Sequence, residues 1–162
     1  MKTNHDFYSI VFVFIAYLFV LSFLTSCNQN ELYFEYIEID KGEWCGDSSI
    51  DFNIDTIDFE QIGDYNLFIE LTTTAIYPYR DICLNIEHNL KDTIFSNDSI
   101  MIKLADDYGK WLGTGVGSLR QYSVPFKSDV HLDTFRNYNL RIIHLMGDDP
   151  LRGVDKIGIR IL

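Results

Sequence analysis

Positive charge is scarce in this chain. Its 162 residues carry 13 Lys and Arg against 24 Asp and Glu, a formal net charge of −11. A surface of that sign repels a polyanionic backbone, which excludes DNA and RNA as partners. Cysteine is scarce too, with three in all. Signatures of catalysis are missing: the chain has no G-x-S-x-G elbow, no H-E-x-x-H pair and no cysteine with an obvious histidine partner. His88, His131 and His144 each stand alone, without the spacing that gathers a metal, and the many carboxylates form no recognisable acid/base pair. The reading is therefore of a protein that is not an enzyme. Internal repeats and low-complexity tracts are also lacking, and no stretch past residue 27 carries a capped 3.6-residue apolar stripe. What is present, 47% hydrophobic and 15% aromatic residues with 23% charged, is the composition of one folded domain rather than of a disordered or collagen-like chain.

The amino terminus sets the compartment. Residues 7–24 (FYSIVFVFIAYLFVLSFL) form an uncharged run behind Lys2, the one firm positive charge there, which Asp6 opposes. About 17–25 apolar residues suffice for a membrane-spanning helix, but small residues ahead of a cysteine point to a cleaved secretory signal. Leu24-Thr25-Ser26-Cys27 resembles the bacterial lipobox, where a signal peptidase cuts before the cysteine and the thiol carries a diacylglyceryl group. The expectation is a signal peptide over 1–26, a lipidated tether over 27–32 and a folded domain over 33–162, with the lipid on Cys27 as the only attached group. Two or more acyl chains, each buried methylene worth about 0.8 kcal/mol, make such anchoring stable. Asn28-Gln29-Asn30-Glu31 is a short polar tether without a run of acidic residues, which favours the periplasmic face of the cell envelope. An exported chain can pair Cys45 with Cys83; the simpler reading makes Cys83, between Ile82 and Leu84, a small half-buried strand residue.

Past the tether the apolar residues recur with period two. Ile50, Phe52 and Ile54 form one set; Tyr65 through Leu71, Ile82 through Ile86, Ile100 through Leu104, Tyr138 through His144 and Ile157 through Ile161 form five more. Tyr33 to Ile39 and Leu119 to Phe126 are weaker candidates, and Pro125 marks an edge or an end. Turn residues separate the sets, among them Gly42, Gly63-Asp64, Ser96-Asn97-Asp98 and Gly153. The fold class is thus all-β: an antiparallel β-sandwich of jelly-roll or immunoglobulin-like kind with about eight strands. The apolar parity slips by one residue at Thr56-Ile57-Asp58-Phe59, which predicts a bulge or tight bend.

Segment 106–117 (DDYGKWLGTGVG) is the most unusual stretch. Phosphate-cradling glycine loops open a helix, and none follows here, so a long turn with glycines at positive φ and Trp111 packed over a sheet end is the reading. Asp106-Asp107 and Asp148-Asp149 read as solvated turn carboxylates, lacking the D-x-D-x-D-G order of a calcium loop. Tyr77-Pro78-Tyr79-Arg80-Asp81 reads as a strand-to-strand corner with its rings packed and Arg80 salt-bridged. Asp106, Asp107, Trp111, Tyr79 and Arg80 are the candidate partner-binding residues. A rival role is a carbohydrate-binding sandwich that stacks sugar rings on exposed Trp44, Tyr79 and Trp111.

Several segments together resemble one known family. They are the lipobox Leu24 to Cys27; Tyr33-x-x-Tyr36 followed by Trp44; Tyr65-Asn66-Leu67; Tyr77-Pro78-Tyr79-Arg80-Asp81; Leu104 through Gly115; and His144-Leu145-Met146 with Leu151-x-Gly153-Val154-x-x-x-Gly158. The chain is similar in these to the gliding-motility lipoprotein family GldH of the Bacteroidetes lineage. The resemblance implies a membrane-attached envelope component associated with gliding and with the type IX secretion system, a non-enzymatic accessory that docks to other envelope proteins. It carries over Cys27 as the acylation site and no catalytic residue.

Overall fold

A strand half in a core and half in water must alternate apolar and polar side chains, and the apolar sets read from the sequence lie in strands, which extend back through Gly63-Asp64 and Ser96-Asn97-Asp98, read as turns, because the sheet ladder pairs them. The computed structural model describes residues 32–55 and 62–162. The leader with Cys27, and the predicted parity slip at 56–59, lie outside the described residues. The strands are β1 Tyr33–Glu38, β2 Glu43–Trp44, β3 Ile50–Ile54, β4 Gly63–Thr74, β5 Asp81–His88, β6 Ser96–Lys103, β7 Leu119–Leu132, β8 Tyr138–His144, β9 Leu151–Arg152 and β10 Val154–Ile161. In β3, Ile50, Phe52 and Ile54 are buried while Asp51 and Asn53 are exposed; in β5, Ile82, Leu84 and Ile86 are buried.

Two four-stranded antiparallel sheets carry the fold, in the orders β1-β10-β4-β7 and β3-β8-β5-β6. With the two-residue strands β2 and β9 set aside, these interleaved orders are those of a jelly roll, two Greek keys folded over one another. That settles the choice against the immunoglobulin-like alternative. β2 and β9 pair only with each other. They raise the number of strands from eight to ten, because two residues are too few to show a period. Leu67, Ile69, Leu71, Ile157, Ile159 and Ile161 of the first sheet share one core with Ile82, Leu84, Ile86, Leu140 and Ile142 of the second. Each such side chain, fully buried, contributes about 1.5–3 kcal/mol.

β7 lies at a sheet edge, where a proline without an N–H is tolerated, and Pro125 faces Phe68 of β4. The strand does not stop there but runs on to Leu132, crossing two register shifts against β4. Cys45, exposed, and Cys83, half-buried in β5, are free thiols, so the disulfide is not formed and the strand-residue reading of Cys83 holds.

The antiparallel register gives the sandwich two distinct ends. The start of β1, where Leu32 N–H donates to the Ile161 carbonyl, lies beside the end of β10 and the start of β4. At this end, called the tether end after the tether expected ahead of Leu32, turns 89–95 and 133–137 join β5 to β6 and β7 to β8. The far end carries segments 39–49, 75–80, 104–118 and 145–150.

Candidate functional site at the far end

The chain leaving β6 is pinned to the corner before β5: the N–H groups of Leu104 and Ala105 both donate to the Arg80 carbonyl, at 2.7 and 3.0 Å. It then doubles back, with Leu112 N–H on the Leu104 carbonyl at 2.8 Å and a bridge between Ala105 and Trp111. Asp106 closes this turn through Oδ1, which accepts from the N–H groups of Tyr108 and Lys110, both at 2.9 Å. A short carboxylate satisfying nearby amides is the Asx-turn mechanism. Gly109, at φ +82°, completes it.

Asp107 points to the other side. Lys103 Nζ lies 3.1 Å from its Oδ1, and that hydrogen bond and charge hold the Asp107 carboxyl below its ordinary pKa. Arg80 donates to the Asp107 carbonyl at 3.3 Å. The expected Arg80 salt bridge is thus replaced by a main-chain contact, because Lys103 already occupies the Asp107 carboxylate. The neighbouring corner packs as read: Tyr77 is buried, its Oη donates to the Asp81 carbonyl at 2.8 Å, and Tyr79 meets its ring edge-on at 6.0 Å. Burial pushes the Tyr77 phenol well above its ordinary pKa; a hydrogen bond to the Asp148 carboxylate raises that of Tyr79.

Gly109, Gly115 and Gly117 have positive φ, as the turn reading expects, and two glycines of the segment also serve close approach. A Cβ on Gly113 would lie 2.7 Å from the Tyr122 ring, and one on Gly115, at φ +155°, would lie 2.2 Å from the Leu119 carbonyl oxygen. Trp111 is half-buried against the core, and Tyr122 Oη donates to the Leu104 carbonyl at 3.1 Å. Trp44 is buried outright: its Nε1 donates to the Ser48 carbonyl at 2.8 Å and its ring meets that of His144 edge-on. His144 Nε2 lies 3.1 Å from the Trp44 carbonyl, a satisfied core histidine. A sugar platform built on exposed Trp44, Tyr79 and Trp111 is therefore not what this end presents, since Trp44 is inside and the other two rings are half covered.

What it does present was not singled out in the sequence. Tyr108 is 98% and Val116 91% exposed, and Ile76, Leu112 and Leu145 of the far-end segments are exposed too. Of the five residues predicted from the sequence, Arg80, Asp106 and Asp107 join in one braced turn, Trp111 anchors it to the core, and Tyr79 turns toward Asp148. The surrounding apolar residues fall in turns, outside any period, so pattern reading passes over them.

A cleft of about 780 Å³ at the tether end also escaped notice; His88, Leu90, Lys91, Lys127, His131 and Arg136 are among the residues lining it. Here buried His88 and half-exposed Lys127 share one oxygen of Asp98, each at 2.7 Å. Hydrogen bonds from Lys127 and then His88 lower the Asp98 pKa. A depressed folded-state pKa stabilises the protein above the unfolded carboxyl value, and that gain is lost as pH falls through the folded value. Thermal melts of Asp98→Asn should accordingly lose part of their acid dependence below about pH 4; an acid limb identical to that of the parent chain rules the coupling out.

The alignment of the whole domain with known proteins decides its kinship. The family model described as GldH lipoprotein matches residues 31–161. The chain belongs to the GldH lipoprotein family. A curated relative, the "Gliding motility lipoprotein GldH homolog" of Christiangramia forsetii, is 29% identical over 158 residues, covering 93% of each chain. The "Gliding motility lipoprotein GldH" of Flavobacterium johnsoniae is 23% identical over 145 residues, covering 85% of this chain and 88% of its own. Among solved structures, a carbohydrate-binding module of a family 9 glycoside hydrolase from Ruminococcus flavefaciens covers 80% of this chain and 98% of its own at a TM-score of 0.43 and 10% identity. A superposition that loose assigns no function to this GldH-family domain.

Proposed function

We propose that this GldH-family protein is an envelope lipoprotein, held on its membrane through diacylated Cys27, that acts without catalysis in the gliding and type IX secretion machinery by docking its far end onto other envelope proteins. The observation that carries the docking surface is that one far-end segment, braced over residues 104–112, holds Tyr108, Leu112 and Val116 exposed, at the end of the sandwich opposite Leu32. Turns are ordinarily polar, so several large apolar side chains held out by one turn segment mark an interaction site. The family membership and the names of the two relatives supply the motility context. Holding both partners on one membrane raises their effective concentration, so a small contact suffices.

The test uses a photo-crosslinking amino acid at Leu112 in the full chain in its own cells. One discrete adduct with an envelope protein of the motility or secretion apparatus is expected, and Tyr108→Asp/Val116→Asp should abolish it at unchanged abundance. An adduct that persists undiminished in that variant, or forms equally from Lys91 at the opposite end, refutes far-end docking.

A further inference from the structure

The turns at the tether end carry large apolar side chains that no part of the docking reading uses. Phe135 is 85% and Ile94 74% exposed, and Phe95 and Ile62 are exposed at the same end. They come from three separate places in the chain: ahead of β4, between β5 and β6, and between β7 and β8. Two of the turns are stiffened by Asx contacts, with Ile94 N–H donating to Asp92 Oδ1 at 2.6 Å and Phe135 N–H to Asp133 Oδ1 at 2.9 Å. Arg136 ties one turn to the other through the Leu90 carbonyl at 2.8 Å. The side chains are therefore held out on fixed backbone, not trailing from loose loops.

We infer that this end rests in the surface of the bilayer that holds the Cys27 lipid, with Phe135, Ile94, Phe95 and Ile62 inserted at the headgroup and acyl boundary. The inference rests on acylation of Cys27, and the length of the tether decides it. Four residues lie between Cys27 and Leu32, whose N–H is fixed on the Ile161 carbonyl, so the five steps of a fully extended tether span at most about 18 Å. The headgroup layer takes up several ångströms of that reach. The far end also exposes apolar residues, but the 12 residues of β4 set it about 40 Å farther along the strands, beyond what the tether allows. Charge does not drive the contact: Lys91, Lys127 and Arg136 at this end are offset by Asp92, Asp98 and Asp133. The insertion should thus resemble that of an uncharged interfacial segment, indifferent to anionic lipid.

The experiment takes the full chain processed and acylated in cells, purified and reconstituted into phosphatidylcholine vesicles with bromine on the acyl chains near the headgroup. A fluorescent amino acid replaces Phe135, Ile94 or, as control, Val116. Fluorescence at 135 and 94 should be quenched by the brominated lipid and that at 116 should not, with no change when phosphatidylglycerol is added. Equal fluorescence loss at all three positions, quenching at 116 alone, none at 135 and 94, or quenching that appears only with phosphatidylglycerol overturns the inference. Intact-mass spectrometry of the same sample keeps the two readings apart. A bare Cys27 defeats the lipoprotein reading, whereas an acylated chain with unquenched 135 and 94 defeats only the resting end.

Discussion

Arg160→Met should destabilise this domain by about 3 kcal/mol or more, the cost of leaving the buried Glu70 carboxylate without the half-buried guanidinium that pairs it. Glu70 lies on the outer face of the first sheet yet is only 7% exposed. Arg160 Nε sits 2.7 Å from Glu70 Oε1, the Ser123 hydroxyl donates to the same oxygen at 2.7 Å, and Arg160 donates to Ser123 Oγ at 2.6 Å. The guanidinium also lies over the Phe68 ring, 5.0 Å from its centroid. The pair crosses from β10 to β4 to β7, so it ties three adjacent strands on the face away from the core. Methionine preserves much of the packing on Phe68 and removes the charge. Replacing Glu70 as well, in Glu70→Gln/Arg160→Met, should recover most of the loss, since Glu70 then carries no uncompensated carboxylate. Thermal melts read the difference directly: at about 4 °C per kcal/mol the single variant falls by roughly 10–20 °C. A single variant within a few degrees of the parent, or a double variant worse than the single, would show that the carboxylate is not dependent on its partner.

The sheets were legible in the sequence because each of their inner faces repeats at every second residue. Leu67, Ile69 and Leu71 announce β4, and Ile157, Ile159 and Ile161 announce β10, without any knowledge of what lies opposite. The same property hid the Glu70 cluster. A period-two reading assigns Phe68, Glu70 and Thr72 to solvent, and only the register of three strands shows that Arg160 and Ser123 close over Glu70. The far-end site divides in the same way. The odd composition of segment 106–117 drew notice to Asp106, Asp107 and Trp111, and the brace through Arg80 brings the corner at residues 77–81 against them. Exposure, by contrast, is a property of the folded surface. Trp44 reads as available until β2 pairs with β9 and the ring turns onto His144, while Val116 and Phe135 give no signal until the turns that carry them are seen.

Gly153 shows how a residue visible as a family match acquires a physical reason. It joins β9 to β10 at φ +87°, and a Cβ there would lie 2.6 Å from both the Cα and the nitrogen of Tyr77. Its N–H donates to the Gly42 carbonyl at 3.0 Å and its carbonyl accepts from Thr74 N–H at 2.8 Å, so three far-end segments meet on one residue. Gly153→Ala therefore meets two penalties: the left-handed backbone, roughly 1–2 kcal/mol for a residue with a side chain, and displacement of the Tyr77 main chain, which no rotamer change can relieve. A total of about 3–4 kcal/mol is expected, near the upper range for single substitutions. Gly109→Ala isolates the first penalty, since φ is +82° there and no atom lies within 4 Å of the added carbon. Denaturant titration of the two variants should separate them by at least about 1.5 kcal/mol, outside the extrapolation error of a typical transition. Equal losses would mean that the Tyr77 corner yields freely. That corner would then be a poor foundation for Tyr79 and Arg80, and the far end could not be the rigid surface that docking through Tyr108 and Val116 requires.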